Sequence, residues 1–253
     1  MTCAIDVNNV YFRYDEFEMD NIQMELHQAE HKALVGLNGS GKTTLFKLML
    51  GLLEPEEGEI YVFDRKMTPE NLWEVRKDIG FLFQNPDDQL FAPTVWEDIA
   101  FGPRNLGLSE ADVEQRVREA LDFVRMSDFT NRPVNQMSHG QAKRVALAGI
   151  LAMKPRILFL DEPFTGLDFP MVRSIFDIIQ KLRDDGISVL FTTHNRFFIE
   201  NWADSVVVLK EGKVIFDGPT HEALTNTEVL AQIGDWDSLK RDMNRGRIYD
   251  DSA

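Results

Sequence analysis

The sequence "GLNGSGKTT", residues 36–44, carries the strongest indication of the fold. It follows "KALV", residues 32–35, an apolar run typical of a β-strand, and it precedes residues 45–53, whose pattern predicts a helix that closes near Gly51. A glycine-rich loop between a strand and a helix has the context of a phosphate-binding loop. The alternative is a glycine-rich turn that only resembles this pattern, and the flanking strand and helix argue against it.

The residue types in this loop suit phosphate chemistry. Its glycines let backbone N–H groups turn inward around phosphate oxygens, and the following helix adds the positive end of its dipole. Lys42 is predicted to bridge the β- and γ-phosphates, and the Thr43 hydroxyl is predicted to hold Mg²⁺. We therefore expect ATP or GTP as the ligand.

Two further strands are predicted to end in polar residues. Residues 157–160 form a continuous apolar run, typical of a buried parallel strand whose carboxyl end faces the ligand crevice. Asp161 is predicted to order Mg²⁺ through its water shell, and Glu162 to polarise the attacking water. The alternative is that this acidic pair only ends the strand. The strand "SVLFTTH", residues 188–194, ends at His194, either a γ-phosphate contact or a structural histidine.

The segment "SHGQ", residues 138–141, has two readings. Ser138 followed three residues later by Gln141 fits a capping box, which marks the start of a helix. The apolar stripe after it supports that helix and predicts that Lys143 and Arg144 face solvent. The local pattern alone does not separate a plain helix start from part of an active site.

Composition bounds the class of protein. With 253 residues, 43% of them hydrophobic, the chain can bury a large core, as one elaborate domain or as a domain with an inserted lobe. The formal net charge of −15 makes a broad nucleic-acid surface unexpected. No apolar run approaches the roughly 18 residues that span a bilayer, and the first residues lack a secretory signal, so we expect a cytosolic protein.

The cysteine and histidine pattern offers little sign of metal binding. Cys3 is the single cysteine, which excludes an internal disulfide and a cysteine-based zinc site and suits a reducing compartment. His27 and His31 are four residues apart on a predicted strand approaching the phosphate loop. That spacing does not converge on a strand, so metal ligation by this pair is not expected.

Taken together, the segments resemble the nucleotide-binding subunit of an ABC transporter. They occur in the order "GLNGSGKTT", Gln84 in "FLFQNP", "MSHGQAKR", "ILFLDEP", "GLD" with Asp168, and "TTH" with His194. The resemblance covers about residues 4–225. It implies an α/β fold: a P-loop NTPase core with a mostly parallel sheet, an N-terminal antiparallel β subdomain and an α-helical subdomain inserted at about residues 85–153. A "KEGK" hairpin is predicted at residues 210–213, and residues 226–253 are expected to be a polar, acidic extension.

The same resemblance implies a set of site residues and cofactors. The implied ligands are ATP and Mg²⁺, with Glu162 and His194 as catalytic residues and Mg²⁺ held by Thr43, Gln84 and Asp161. The implied ATP-binding residues are Tyr14, Gly36, Asn38, Gly39, Ser40, Gly41, Lys42, Thr43, Thr44 and Gln84. Tyr14 would stack on adenine, although an aromatic residue on an alternating strand often only packs.

The signature segment is implied to act between subunits. In this family the corresponding "LSGGQ" segment of one subunit lies over the ATP held by another. Ser138, His139, Gly140 and Gln141 are therefore expected to cap a helix and to contact the γ-phosphate of a partner's ATP. Asp168 occupies the position of the family's D-loop aspartate.

This sequence departs from the family pattern at several positions. The phosphate loop, Gln84, Asp161, Glu162 and His194 are intact, so ATP hydrolysis is expected. His139 replaces a glycine, which puts the geometry of the signature in question. The other departures are Met137, Phe164, Phe169 and Asn195.

A narrower resemblance lies in "FQNPDDQLFAPTVWEDIAFGPRNLGL", residues 83–108. It is similar to the ATPase subunits of energy-coupling-factor importers, particularly the cobalt and nickel group. This implies a place at the cytoplasmic face of the membrane, with a transmembrane coupling protein, a substrate-capture membrane protein and a second ATPase subunit, identical or not, as partners. The alternative for this segment is a generic amphipathic insertion in which Phe91, Val95 and Ile99 form core.

Other functions remain as alternatives. The same kind of motor serves vitamin uptake, and soluble ABC ATPases act on DNA or ribosomes. The second alternative fits less well, because the chain has no basic arm or long coiled-coil insertion, and no nucleic-acid partner is expected. A regulatory module that binds nucleotide without turnover is a further alternative, and Glu162 argues against it.

Overall fold

The computed structural model describes residues 2–233. Along the chain the elements are β1 (Cys3–Tyr14), β2 (Phe17–His27), β3 (His31–Val35), α1 (Lys42–Met49), β4 (Glu57–Val62), β5 (Arg65–Lys66), α2 (Leu72–Lys77), β6 (Ile79–Leu82), α3 (Val95–Asn105), α4 (Glu110–Phe123), α5 (His139–Leu151), β7 (Ile157–Leu160), α6 (Phe169–Asp184), β8 (Ser188–Thr192), α7 (Arg196–Trp202), β9 (Ser205–Lys210), β10 (Lys213–Pro219), α8 (Thr220–Ala223) and α9 (Thr227–Ile233).

The central sheet has six strands in the order β10-β9-β3-β8-β7-β6. From β9 to β6 all neighbours pair in parallel, and only the edge strand β10 is antiparallel. Every residue of β3, β7 and β8 is buried, as expected for parallel strands covered on both faces. Because these strands run in the same direction, the residues that follow their carboxyl ends meet at one edge of the sheet.

Alternate residues of the central strands serve two different cores. Successive side chains of a strand point to opposite faces of the sheet. On β7, Leu158 and Leu160 belong to a core shared with the helical lobe, whereas Ile157 and Phe159 belong to a core shared with α1 and the second sheet. The central sheet is therefore a layer with one apolar core on each face.

The second sheet is antiparallel, with strand order β2-β1-β4-β5. Its inward face packs on α1 through an apolar cluster. Members of this cluster include Ile5, Val7, Ile22, Leu26, Phe46, Met49 and Ile60. This sheet is the predicted N-terminal antiparallel subdomain.

Three helices, α3, α4 and α5, form a lobe between β6 and β7. Thr94 caps α3 and Ser109 caps α4, each with its side-chain oxygen accepting from a backbone N–H three residues on. The lobe packs through Val95, Ile99 and Val113, which have no exposed surface. The predicted fold, a P-loop core with an antiparallel β subdomain and an inserted helical subdomain, is confirmed.

The predicted hairpin joins β9 to β10. Glu211 and Gly212 both have positive φ, 48° and 74°, the conformation of a type I′ turn. A Cβ atom at Gly212 would lie 1.8 Å from the carbonyl oxygen of Glu18, so glycine is required there.

The folded core continues beyond the predicted domain end at residue 225. Val229 and Ile233 of α9 are buried in the core shared with the lobe. The expected extension, residues 226–253, therefore begins with a packed helix, and its residues 234–253 lie outside the described part of the chain. Within residues 2–233, no helix has both the length and the hydropathy needed to cross a bilayer.

Candidate functional site

The predicted phosphate loop connects β3 to α1 at the carboxyl edge of the central sheet. Gly36, Gly39 and Gly41 all have positive φ, 151°, 80° and 109°. A Cβ atom at Gly36 would lie 2.3 Å from the carbonyl oxygen of Leu209, and one at Gly41 would lie 2.8 Å from the Phe17 ring. The loop therefore needs glycine for its backbone shape and for close packing on its neighbours.

Lys42 is held by the loop that it follows. Its Nζ donates to the carbonyl oxygens of Gly36 at 2.8 Å and Leu37 at 3.1 Å. Burial lowers the pKa of Lys42, and the charges of Glu162 and Asp161 oppose that shift. The ammonium group therefore lies between the loop and the acidic end of β7, oriented toward the space where phosphate is expected.

Asp161 and Glu162 follow β7 and share one hydroxyl group on the neighbouring strand. Thr192 Oγ1 donates to Asp161 Oδ1 at 2.6 Å, and the Glu162 backbone N–H donates to the same Thr192 oxygen at 2.8 Å. Glu162 has a φ of 44°, a left-handed conformation that is uncommon for a non-glycine residue. Such strain persists only when neighbouring groups hold it, and it is frequent at functional sites.

The Glu162 carboxylate faces His194. Glu162 Oε1 lies 3.4 Å from His194 Nε2, and Glu162 Oε2 accepts a hydrogen bond from Thr165 Oγ1 at 3.1 Å. Burial raises the pKa of Glu162, while His194 and the Thr165 hydrogen bond act in the opposite direction. A carboxylate with a raised pKa is a stronger base, which suits a proton acceptor.

These groups line one cavity of about 740 Å³. It brings together the loop, the ends of β7 and β8, and the segment after β6, which supplies Gln84. The lining residues are Phe17, Leu37, Asn38, Gly39, Gly41, Lys42, Thr43, Thr44, Gln84, Asp161, Glu162, Thr165 and His194.

Three of the predicted ATP-binding residues do not line this cavity. Gly36 and Ser40, both within the loop, pack against the β9–β10 hairpin: a Cβ atom at Gly36 would meet the Leu209 carbonyl, and the Ser40 carbonyl accepts from the Gly212 N–H at 3.1 Å. Tyr14 is 65% exposed and also lies outside the lining. The structure places Phe17 there instead, because the tight turn after β1 pairs Tyr14 with Phe17 and directs only Phe17 toward the loop.

Phe17 was missed by sequence reasoning. The available signal was the short "YDEF" turn, which carries a second aromatic residue three positions after Tyr14.

The signature segment begins helix α5. Ser138 Oγ accepts from the Gln141 N–H at 3.3 Å, and Gln141 Oε1 accepts from the Ser138 N–H at 3.0 Å, so the predicted capping box is confirmed. His139 is exposed, and its Nε2 would lie 3.2 Å from a Cβ atom at Gly166. None of the signature residues 138–141 is among the residues that line the cavity of their own chain.

Lys143 and Arg144 do not face solvent, contrary to the prediction. Lys143 has no exposed surface, and its Nζ donates to the carbonyl oxygens of Glu162 at 3.3 Å and Thr165 at 3.5 Å. Burial lowers its pKa to about 8. Arg144 is half-buried and donates to the Val124 carbonyl at 3.4 Å. The helical pattern failed here because backbone carbonyls, which it does not encode, accept hydrogen bonds from both cations.

Asp168, Asn195 and Phe164, also singled out in the sequence, have local structural roles, whereas Phe169 is exposed. Asp168 caps α6 by accepting from the Met171 N–H at 3.0 Å, and Asn195 caps α7 by accepting from the Phe197 N–H at 2.9 Å. Phe164 is buried and stacks on Phe198, with 3.9 Å between the ring centroids.

Comparison with known proteins agrees with this geometry. The ABC transporter family profile matches residues 19–165. The energy-coupling factor transporter ATP-binding protein EcfA of Methanocaldococcus jannaschii is 42% identical over 230 residues, covering 89% of this chain and 82% of the relative. The protein of the same description from Methanothermobacter thermautotrophicus is 44% identical over 211 residues, covering 83% and 68%.

Solved structures share the fold. The structure of cbiO1 from Clostridium perfringens, described as part of the ABC transporter complex cbiONQ, superposes with a TM-score of 0.82 at 32% identity, covering 96% of this chain and all of that one. A nucleotide-free ATP-binding cassette from an ABC transporter superposes with a TM-score of 0.80 at 25% identity, covering 92% and 98%. The chain therefore belongs to the ABC transporter family, as an ATP-hydrolysing ATP-binding subunit of the energy-coupling-factor type.

Proposed function

We propose that this chain is the motor of an importer that takes up a transition-metal ion, cobalt or nickel. The observation that carries the proposal is the amino-acid sequence of residues 83–108, which resembles that of the ATPase subunits of cobalt and nickel importers. The named relatives, energy-coupling factor ATP-binding proteins and cbiO1, support the transporter class. Vitamin uptake by the same kind of motor is the alternative.

Within one chain, the cavity suits MgATP. The loop N–H groups and Lys42 bind phosphate oxygens, and Phe17 offers an aromatic face for the base. Thr43, Gln84 and Asp161 would hold Mg²⁺, and their oxygen donors match the preference of this hard cation for oxygen ligands. The ion supplies charge neutralisation of the phosphates. Glu162 accepts the proton of the attacking water.

His194 is proposed to contact the γ-phosphate. Its distance of 3.4 Å from Glu162 allows the imidazole to hold the carboxylate in place until ATP binds between them. Hydrolysis then changes what His194 contacts, which links the state of the nucleotide to the loop after β8.

A second ATPase subunit is proposed to complete the site. Ser138 and His139 at the N-terminus of α5 are exposed, and residues 138–141 lie outside the lining of their own cavity, as required of a segment that contacts ATP in another chain. Helix N-termini favour anions, so Ser138, Gly140 and Gln141 would approach the partner's γ-phosphate. Asp168, which caps α6 and is exposed, would face the same interface. ATP closes the dimer and hydrolysis lets it reopen.

The transmembrane coupling protein is proposed to dock in a groove lined by α2, α3, α5 and the segment after β6. Docking there would hold the chain at the cytoplasmic face of the membrane. The groove has a volume of about 360 Å³ and presents Trp73, Phe91 and Phe101 at 55%, 65% and 49% exposure. An exposed aromatic patch of this kind marks an interaction surface. It also contains Gln89, whose Oε1 accepts from the Phe83 N–H at 3.1 Å, so the groove contacts the backbone of the residue before Gln84.

The segment that carries Phe91 is held outward by one carboxylate. Asp98 Oδ2 accepts from the N–H groups of Phe91 and Ala92, both at 2.9 Å. Val95 and Ile99 are core residues, as the amphipathic alternative proposed, but Phe91 is not. The segment therefore combines a packed helix with an exposed aromatic anchor.

The test is co-purification of the membrane partners, including the substrate-capture protein, followed by uptake of labelled cobalt, nickel and vitamins by the complex. We expect ATP-dependent uptake of cobalt or nickel. Phe91→Ala should reduce uptake at least about fivefold while basal ATPase stays within about twofold, because Phe91 lies outside the nucleotide cavity. The control is Phe197→Ala, an exposed aromatic residue outside the groove. Vitamin uptake alone would support the alternative substrate, and the absence of any membrane partner would favour a soluble ATPase.

A further inference from the structure

We propose that Cys3, Glu25 and His27 form a binding site for Zn²⁺ on the outer face of the antiparallel sheet. The register of β1 and β2 places Cys3 directly opposite His27. Glu25 is two residues before His27 and therefore shares its face of the strand, while Leu26 between them is buried. One potential donor atom from each of the three residues lies within 4.8 Å of the other two.

The distances are close to those of a bound ion. His27 Nε2 lies 3.7 Å from Glu25 Oε2. Zinc binds sulfur at about 2.3 Å and nitrogen or oxygen at about 2.0–2.2 Å, so its ligand atoms are about 3–4 Å apart, and small side-chain rotations suffice here. His27 Nδ1 is buried and has no hydrogen-bond partner within the described residues 2–233. An ion on the Glu25 side of the ring would bind Nε2, so the unpartnered Nδ1 does not itself mark the site.

Water would take the fourth position. Asp6 pairs with Glu25 across the two strands, but it is not part of the group whose donor atoms lie within 4.8 Å of one another, and its Oδ2 accepts from Asn8 Nδ2 at 2.8 Å. A water molecule would therefore complete a tetrahedral site.

The charges around the thiol favour a cation. Glu25 and Asp6 place negative charge close enough to act on the Cys3 thiol. A divalent ion would be attracted by these charges and would displace the thiol proton on binding. One thiolate, one imidazole and one carboxylate form a donor set for zinc and not for Mg²⁺ or Ca²⁺.

Cross-strand pairing explains why the sequence pattern concealed this site. The sequence places His27 four residues before His31, which draws attention to that pair as possible metal ligands. In the structure β3 carries His31 into the core, where its ring lies 5.5 Å from that of Trp202. The single cysteine predicts that a cysteine-based zinc site is excluded, and the mixed site proposed here, with Cys3 as its one sulfur ligand, departs from that expectation. The ion would connect the beginning of β1 to the end of β2, and its ligands share no residue with the lining of the nucleotide cavity.

The test uses the full chain, stripped of metal with a chelator and titrated with ZnCl₂ against a chromophoric competitor in excess Mg²⁺. We expect one Zn²⁺ per chain, bound about tenfold or more weakly by Cys3→Ser, Glu25→Gln and His27→Gln. The control is His221→Gln, an exposed histidine outside the cluster, which should bind as wild type does. Co²⁺ in place of Zn²⁺ should show a thiolate-to-metal charge-transfer band that Cys3→Ser lacks.

Equal Zn²⁺ affinity in wild type and all three variants, or no charge-transfer band, would overturn the proposal. A second measurement avoids dependence on the folding of the cysteine variant. Zn²⁺ should slow the reaction of Cys3 with a thiol reagent in wild type but not in His27→Gln, and lack of protection in wild type would also overturn the proposal. Neither readout depends on ATP hydrolysis, so failure here is distinct from failure of the proposed transport function.

Discussion

The ammonium group of Lys143 lies 3.3 Å from the backbone carbonyl oxygen of Glu162, to which it donates a hydrogen bond. This contact joins helix α5 to the loop after β7, where Glu162 has a left-handed backbone conformation. Since α5 begins with the signature residues, the segment proposed to contact a partner's ATP is tied to the proposed catalytic base of its own chain. We therefore predict that Lys143 positions Glu162 through its backbone carbonyl.

Lys143→Met should lower kcat about tenfold while KM for ATP stays within about twofold, because Glu162 loses its positioning contact but the phosphate loop is untouched. Steady-state ATPase assays give both parameters, with Lys47→Met, an exposed lysine on α1, as the control. Thermal unfolding of both variants separates lost folding from lost positioning. A folded Lys143→Met protein with unchanged kcat would show that the contact is only structural.

Phe17→Ala should weaken ATP binding about fivefold to tenfold, because the structure places Phe17, and not Tyr14, in the cavity. Tyr14→Ala is the matched variant and should change affinity by less than about twofold. Inorganic triphosphate has no base, so its binding should be equal in both variants. A larger loss of ATP affinity in Tyr14→Ala than in Phe17→Ala would instead support Tyr14 as the residue that stacks on adenine.

His139→Gly should leave ATPase activity within about threefold of wild type, because the imidazole is exposed and lies over Gly166 of its own chain. His139 is the first residue of α5 and does not have positive φ, so no backbone strain is relieved. His139→Glu should impair ATP-dependent dimerisation by placing a carboxylate near phosphate oxygens. The two variants are compared by their rates of ATP hydrolysis and by their ATP-dependent dimerisation in sedimentation experiments, across mildly acidic to neutral pH. A folded but inactive glycine variant would make His139 a working part of the site.

The free energy of unfolding should depend on pH through His31. Burial, with a smaller contribution from Arg183, lowers the pKa of His31 from 6.5 to about 4, and Asp204 opposes the shift. Between these values the unfolded chain binds a proton that the folded chain does not, so this stabilisation is complete above pH 6.5, is lost as pH falls and levels off below pH 4. The loss between pH 7 and pH 5 should be about 2 kcal/mol.

Urea unfolding of wild type and His31→Phe at both pH values measures this contribution. The phenylalanine ring can pack against Trp202 as the imidazole does, but it does not titrate. The variant should therefore lose about 2 kcal/mol less than wild type on acidification. An identical pH dependence in the two proteins would contradict a depressed pKa for His31.

Much of the fold could be predicted from the sequence because the patterns that specify it lie within short segments. The phosphate loop lies between an apolar strand and a helix, and the buried strands β7 and β8 are continuous apolar runs that end in polar residues. The capping box at Ser138 and the Glu211–Gly212 turn are also encoded within a few residues. Such short-range patterns need no knowledge of the partners in space.

What was missed depends on contacts between distant segments. Lys143 can be buried because carbonyls 19 and 22 residues away accept hydrogen bonds from its ammonium group, which no helical periodicity encodes. Phe17 enters the cavity because a two-residue turn reverses the chain. Val229 of α9 completes the core past the predicted domain end, although the tail composition reads as polar.

The role of Glu162 as the general base is tested by measuring ATP hydrolysis and MgATP binding in the same Glu162→Gln protein. We expect ATP affinity within a few-fold of wild type and turnover reduced about a hundredfold or more, because the amide cannot accept the proton of the attacking water. Glu222→Gln, an exposed glutamate on α8, is the control and should hydrolyse ATP as wild type does. Near-normal turnover by a folded Glu162→Gln protein would contradict the assignment of Glu162 as the general base and the catalytic site built around it.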